Sequence, residues 1–405
     1  MGLASGGISF KRFFVHGQPI GQADGALLDQ LAARAIDADC VRAADYTEIG
    51  WTTGDHVLDT RFDLGKNVIA DGLYFALRVD TNRPPTDLIR SYQRINEEAM
   101  LEASGREFLS KPQRREAREQ AVSRADAEAR EGSFRRTRQV PVFWDLKRNE
   151  VYLGGTSPTL ADQFMLLFRE TFDRATTPAT SGEIAARWSS RTSAVHPYDT
   201  CRPAYFIKPP DNLESADGDP LPSDEQSKDF LGTEWLAWLW YASHVESPEI
   251  ATGLDQPIPV LFEKSLRMEC AFKINGSVAI QAEGPTHGPE APVALAAGKR
   301  PIAAGLQLAV HGDVFSLQIR GDVMHYTGVR VPAPENPSNP RIVFEDRIDH
   351  LRDLIEAIDE LYAAFLKKRL SGKWPQTLNA IRHWVTTGLR PAPRLDAEPE
   401  PMAAS

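Results

Sequence analysis

The chain is short of the features that define several protein classes. It has three cysteines in 405 residues, Cys40, Cys201 and Cys270. They are odd in number and far apart, which excludes a disulfide framework and any cysteine metal spacing, and suits a reducing cytoplasm. No apolar run approaches the roughly 18 residues that span a bilayer. The start, Met1-Gly2-Leu3-Ala4-Ser5-Gly6-Gly7, has neither a cationic end nor an apolar stretch, so no signal peptide is expected. Gly6 breaks the myristoylation pattern, which requires Ser or Thr there. The nine histidines, His311, His325 and His350 among them, are scattered without ligand spacing. Ser, His and Asp occur in no nucleophile-elbow context. Asp217-Gly218-Asp219 lacks the rest of a calcium loop. Gly298-Lys299-Arg300 is not a phosphate loop, because Val293 stands where the first glycine belongs and Arg300 follows the lysine. These absences point away from an enzyme and from any cofactor or metal.

Positive charge is also in deficit overall: 46 Lys and Arg against 56 Asp and Glu give a net charge of −10. Against that background one stretch stands out. Between Arg106 and Arg138 ten basic residues meet six acidic ones, a local balance of +4 that leaves −14 for the remainder. Lys111, Arg114, Arg115 and Arg118 fall at i, i+3, i+4 and i+7, one stripe of a helix. Arg135, Arg136 and Arg138 form a second cluster before the apolar run Val140–Trp144. Arginine suits phosphate because its planar fork donates two parallel hydrogen bonds. A basic face within an acidic protein would orient a polyanion toward one docking surface. The competing account is a solvated helix face balanced by Glu107, Glu116 and Glu119. Lys299 and Arg300 are further candidates for a polyanion contact.

The length allows two or three domains. Ile8–Val15 reads as a strand and Leu27–Ile36 as a helix. Leu73, Phe75, Leu77 and Val79 alternate as on a half-buried strand, after the turn signal Asp71-Gly72. Thr86 can cap a helix through Ile89, Tyr92, Ile95, Ala99 and Met100, which Gly105 ends. Ser110 caps the next, with Pro112 in its first turn, running to about Arg130 ahead of Gly132. A hairpin follows, Val140–Trp144 with Val151–Leu153 across Lys147-Arg148-Asn149. Thr159 and Asp162 resemble a capping box for a helix through Phe164, Leu167, Phe168 and Phe172, and Ser181–Trp188 reads as another helix. From Lys208 to Lys228 prolines alternate with acidic residues, the composition of a solvated linker. Phe230–Ala242, with Trp235, Trp238 and Trp240, is apolar all round and so predicts a helix buried on several sides, as core or subunit interface. Met268, Cys270, Phe272 and Ile274 alternate up to Asn275-Gly276, and Val278 and Ile280 continue beyond it. Leu306–Val310, Phe315–Ile319 and Met324–Tyr326 make an antiparallel meander. Leu351 to Leu366 supplies the apolar face of a long closing helix, and Pro375–Val385 a short one. The tail after Leu389 is proline-rich and reads as disordered. The expected division is 1–195, an α+β region; 196–229, the linker; 230–388, the Trp helix, meander and closing helices; and 389–405, the tail.

Several of these segments resemble the recombination-associated protein RdgC family. They are Phe134–Asp145, Val151–Ser157 and Ala161–Phe172, together with Ile8–Val15 and Ile49-Gly50-Trp51. Phe230–Trp240 and Ala297–Lys299 with Leu306–Leu308 are similar to longer members. The resemblance covers most of residues 8 to 370 in order. It implies an α+β protein with antiparallel sheets and long helices, an elongated curved subunit, and a ring-shaped homodimer. It further implies a non-enzymatic protein that encircles duplex DNA without sequence preference, limits access of the RecA recombinase, and associates with the nucleoid in the cytoplasm, with no membrane partner. The DNA contacts would come from Lys111, Arg114, Arg115, Arg118, Arg135, Arg136 and Arg138, with Lys299 and Arg300. Where shorter members carry a basic pair, this chain reads Gln281-Ala282-Glu283-Gly284. Two rival accounts are a protein-interaction scaffold built on the Trp helix and acidic linker, and a metal-dependent nuclease using scattered carboxylates.

Overall fold

A computed structural model describes residues 3, 6–37, 41–43, 47–207, 227–272, 274, 276–333 and 339–387. Cys40, the acidic segment 208–226, Asn275 and the tail from 388 lie outside the described residues, and with them most of the linker and the whole of the tail. The protein is α+β with antiparallel sheets. It divides into two compact units: residues 15–176, the middle unit, and residues 1–14 with 177–405, the terminal unit. Residues 1–14 thus group with 177–405 and not with 15–176. The reason is pairing at long sequence distance. Strand β1 (Ile8–Val15) lies antiparallel to β14 (His325–Arg330). Arg12 on β1, almost fully buried, makes a two-pronged ion pair with Asp359 at 2.7 and 2.8 Å.

In the middle unit, helix α1 (Gly25–Ala33) is capped by Asp24, whose carboxylate accepts from the Leu27 amide. The helix stops short of Ile36, because Ala35 bridges to Trp51. The sheet runs β7-β6-β5-β3-β2, from β2 (Val41–Ala43), β3 (Thr47–Thr52), β5 (Gly72–Thr81), β6 (Arg136–Asp145) and β7 (Glu150–Leu153). A short helix α2 (Leu64–Asn67) leads into β4 (Val68–Ile69), which pairs with β5. Alternation predicted a half-buried β5, but nine of its ten residues are buried, Thr81 alone being intermediate. Its second face is covered too: Asn67 donates to Thr53 O and Tyr74 O, and Arg78 donates to Val57 O. On the other face helix α5 (Pro158–Phe172) packs Phe164, Phe168 and Phe172 against Trp51 and Trp144, with ring centres 5.0–6.4 Å apart. The expected capping box at Thr159 is absent: Ser157 is the cap residue, without a side-chain bond, and Pro158 takes the first helical position. Helices α3 (Thr86–Ser104) and α4 (Lys111–Arg130) rise from the end of β5 as a hairpin. Pro85, not Thr86, is the cap of α3.

In the terminal unit the sheet runs β11-β10-β12-β13-β14-β1. Its strands are β10 (Ile258–Cys270), β11 (Val278–Gln281), β12 (Lys299–Val310) and β13 (Asp313–Arg320) with β14 and β1, and β8 (Thr176–Pro178) pairs with β1. Phe272 and Ile274, expected on the strand, lie past the end of β10, and β9 (Glu249–Ile250) pairs with its start. Two small helices, α6 (Ser181–Arg191) and α7 (Val195–Thr200), precede the Trp helix α8 (Phe230–Tyr241), in which every residue but Phe230 is buried. Gly232 and Gly321 meet backbone to backbone, so α8 lies directly on the turn after β13, where no Cβ would fit. Helix α9 (Glu290–Ala296) precedes β12. Helix α10 (Pro340–Arg369) starts earlier than its apolar face suggested, at the cap Asn339, which places His350 well inside it. Helix α11 (Trp374–Thr387) follows. Trp235 packs on Tyr362, Trp238 on Phe365 and Trp240 on Trp384, with ring centres 5.5–5.8 Å apart.

One buried ion pair ties these helices together. Glu234 is fully buried on α8 and accepts from Arg369 Nε at 2.6 Å and from the Ala204 amide at 2.6 Å. Removing one partner would strand the other charge away from water. Glu234→Ala is therefore expected to cost roughly 3–5 kcal/mol of stability, read from the urea midpoint of the full chain; a change below about 1 kcal/mol, the scale of an exposed pair, would count against this account.

Candidate nucleic-acid interface

Helix α4 is built as the sequence suggests. Ser110 Oγ accepts from the Gln113 amide while the Gln113 side chain returns to the Ser110 amide, a capping box with proline in the first turn. Gly105, in left-handed conformation at φ 62°, ends α3. The two helices meet along a seam of alanines. Ala117, Ala121, Ala125 and Ala129 are the only buried residues of α4, one every four positions. Around the seam, Asn96 Nδ2 donates to Ala117 O at 3.0 Å, Tyr92 Oη donates to Glu128 at 2.8 Å, and Asn82 donates to Ala129 O.

This seam decides where the cations go. Arg114 and Arg118 begin a row that continues at four-residue steps through Val122, Asp126 and Arg130, next to the alanine row. Lys111, Arg114, Arg115 and Arg118 are all exposed. They are not equivalent. Arg115 Nε donates to Glu119 at 2.8 Å, a bond that raises the arginine's pKa. Among the described residues, Lys111, Arg114 and Arg118 have no ion-pair partner. Arg124, between the clusters, is also engaged: it lies 4.0 Å over the Tyr92 ring and 3.4 Å from Glu128. The hydrogen bond to Glu128 in turn raises the Tyr92 pKa.

The second cluster divides in the same way. Arg136 and Arg138 lie on β6 itself rather than in a loop before it, two residues apart on one face and exposed. They extend the face that further along carries Val140, Val142 and Trp144. Arg135 is exposed but tethered, with Nη2 2.6 Å from Asp80 Oδ2. Asp80 is shared with Arg78, whose Nε and Nη2 donate at 2.9 and 2.7 Å. Burial works to raise the Asp80 pKa, but hydrogen bonds from Arg78, Arg135 and Thr137 outweigh it and hold the carboxyl below its ordinary value.

Sequence reasoning missed Arg130. It is exposed at the last turn of α4 and lines two hollows: a groove of about 600 Å³ with Arg115, Arg118, Val122 and Asp126, and a cleft of about 570 Å³ with Glu48, Asp80, Asn82 and Arg135. It lies twelve residues beyond Arg118, or about 18 Å along the axis at ~1.5 Å per residue. The signal was available in the four-residue steps from Arg118 but was masked by the intervening Val122 and Asp126.

Lys299 and Arg300 belong to the terminal unit, at the first two positions of β12 and half-buried. Lys299 Nζ donates to Gly276 O, and Arg300 stands across the ladder from Glu269. They do not share a unit with the cations of α4 and β6. The Trp helix offers no docking face, since it is enclosed. Among the described residues no three His, Cys, Asp or Glu side chains gather in a way that could hold a metal, and no helix is long and apolar enough to cross a membrane. Neither a family model nor a curated protein matches the chain.

The sign of the Asp80 shift sets a pH dependence. A carboxyl depressed in the folded state stabilises fully above its unfolded pKa of about 3.9 and loses that contribution as pH falls through the folded value. Asp80→Asn should therefore flatten the decline in unfolding temperature between pH 5 and pH 2; an unaltered slope would show that Asp80 is not depressed.

Proposed function

We propose that the protein binds duplex DNA through its sugar–phosphate backbone, without reading sequence. In this reading it is a non-enzymatic, electrostatic DNA-binding protein. More particularly, it is a member of the RdgC kind, working as a ring-shaped homodimer around the duplex and restraining RecA-dependent recombination at the nucleoid. The observation that carries the reading is the set of exposed cations without ion-pair partners among the described residues: Lys111, Arg114 and Arg118 on α4, Arg130 at its end, and Arg136 and Arg138 on β6. Six such groups lie within one unit of an acidic chain, and Arg114, Arg118 and Arg130 follow one row of α4. Each phosphate neutralised releases counterions, and the log–log salt slope is about −0.9 per contact.

The division into free and engaged cations gives the test its resolution. Fluorescence anisotropy with a random duplex, at several salt concentrations, should show Arg114→Glu with Arg118→Glu weakening binding to all sequences alike and flattening the slope by about two contacts' worth, or ~1.8. Arg115→Ala, which removes a guanidinium already held by Glu119, should cost less than Arg118→Ala. Arg130→Ala should behave like Arg118→Ala. Unchanged affinity in the double charge reversal would defeat the reading. Light scattering should return twice the chain mass for the homodimer.

A further inference from the structure

The terminal unit brings together two histidines that lie far from each other in sequence. Helix α8 runs into a π-helical turn, Ala242–Glu246, closed by the Ser247 amide on Ala242 O at 2.9 Å. Such turns widen a helix by one residue and recur where a side chain must be aimed. Here the side chain is His244, half-buried beside Trp240. Facing it is the loop between β11 and α9, the segment that begins with Gln281-Ala282-Glu283-Gly284. The turn from Gly284 O to the His287 amide, 3.0 Å, buries Pro285 and Thr286 and leaves His287 exposed. His244 Nε2 is 3.1 Å from Thr286 Oγ1, and the two imidazole centres are 5.2 Å apart with planes inclined by 31°. Gly284 lies against His287 Nδ1, leaving no room for a Cβ there.

We propose that His244 and His287 form a binding site for a late first-row divalent transition ion, of the Zn²⁺, Ni²⁺ or Cu²⁺ class. The spacing suits it. Two imidazoles on one tetrahedral ion, each with a metal–nitrogen bond of about 2.0–2.1 Å, have ring centres about 5 Å apart. The donor set selects the ion: imidazole favours Zn²⁺, Ni²⁺ and Cu²⁺, whereas Mg²⁺ and Ca²⁺ require oxygen ligands. Thr286 supplies the second-shell hydrogen bond that fixes a ligating ring. With two protein ligands the remaining positions belong to water, so the ion binds reversibly and acts as a staple between the turn after α8 and the loop before α9. The inference is independent of the DNA-binding reading of α4.

The full chain, titrated with Zn²⁺ and separately with Ni²⁺ in a non-chelating buffer at pH 7.5, should show one saturable site by calorimetry. Its unfolding temperature should rise with the logarithm of metal concentration. His287→Ala, at an exposed position, should weaken that site by more than about tenfold, and His287→Cys, which restores a ligand, should recover it. His56→Ala, on the middle unit, should leave binding unchanged. His244→Ala should match His287→Ala; if it fails to fold, the exposed His287 variants decide alone. Titrations of wild type and His287→Ala that superimpose, or a wild type with no saturable site, would overturn the proposal.

Discussion

The alanine seam of α4 is the contact on which the candidate DNA surface rests. A methyl group at every fourth position lets α3 approach closely, and no long apolar side chain is needed to hold the pair. The consequence is unusual for a helix of 20 residues: its burial is supplied by four alanines, and the adjoining rows remain available for long charged side chains. Larger residues at those positions would push α3 away and rotate the cation row relative to β6. Packing and electrostatics are thus one arrangement, since the row that binds α3 determines which row faces water.

Charge count and charge availability differ on this surface. Arg115, Arg124 and Arg135 each hold a carboxylate, but not with equal strength. An exposed i,i+4 pair such as Arg115–Glu119 is worth at most about 1 kcal/mol and is screened by salt, so a phosphate could displace Glu119. Arg135 is held by a carboxylate that is itself buried and shared with Arg78, and releasing it would leave Asp80 less compensated. In the proposed reading the free cations carry the phosphate contacts, and Arg135 helps keep the strand that displays Arg136 and Arg138 in place.

The terminal unit follows a different rule. Its aromatic helix is sealed on all sides, and its single carboxylate, Glu234, is tolerated inside because Arg369 and a backbone amide answer both oxygens. That enclosure leaves a recruitment role for the Trp helix without a surface. His244 leaves it on the π-helical turn that follows, half-buried beside Trp240.

Much of the local structure was legible in the residue order. The Ser110 cap, the glycine stop at Gly105, the β6–β7 hairpin, the meander and the all-round burial of α8 each depend on neighbours within a few positions, and periodicity reports those. The same short range explains the errors. Thr86 and Thr159 looked like caps, but proline at the neighbouring position took the geometry instead. β5 looked half-exposed because its second cover comes from the segment between β3 and β4, which alternation cannot register. The chain by itself determined that its cations would cluster along one stripe of a helix and again just ahead of an apolar strand. Tertiary structure alone decided that β1 would join residues 177–405, that Asp80 would hold Arg135, and that His244 would meet His287. Those outcomes depend on pairings between residues distant in sequence, and the energy of such pairings is set by distance and burial in space, quantities that a linear order of side chains does not contain.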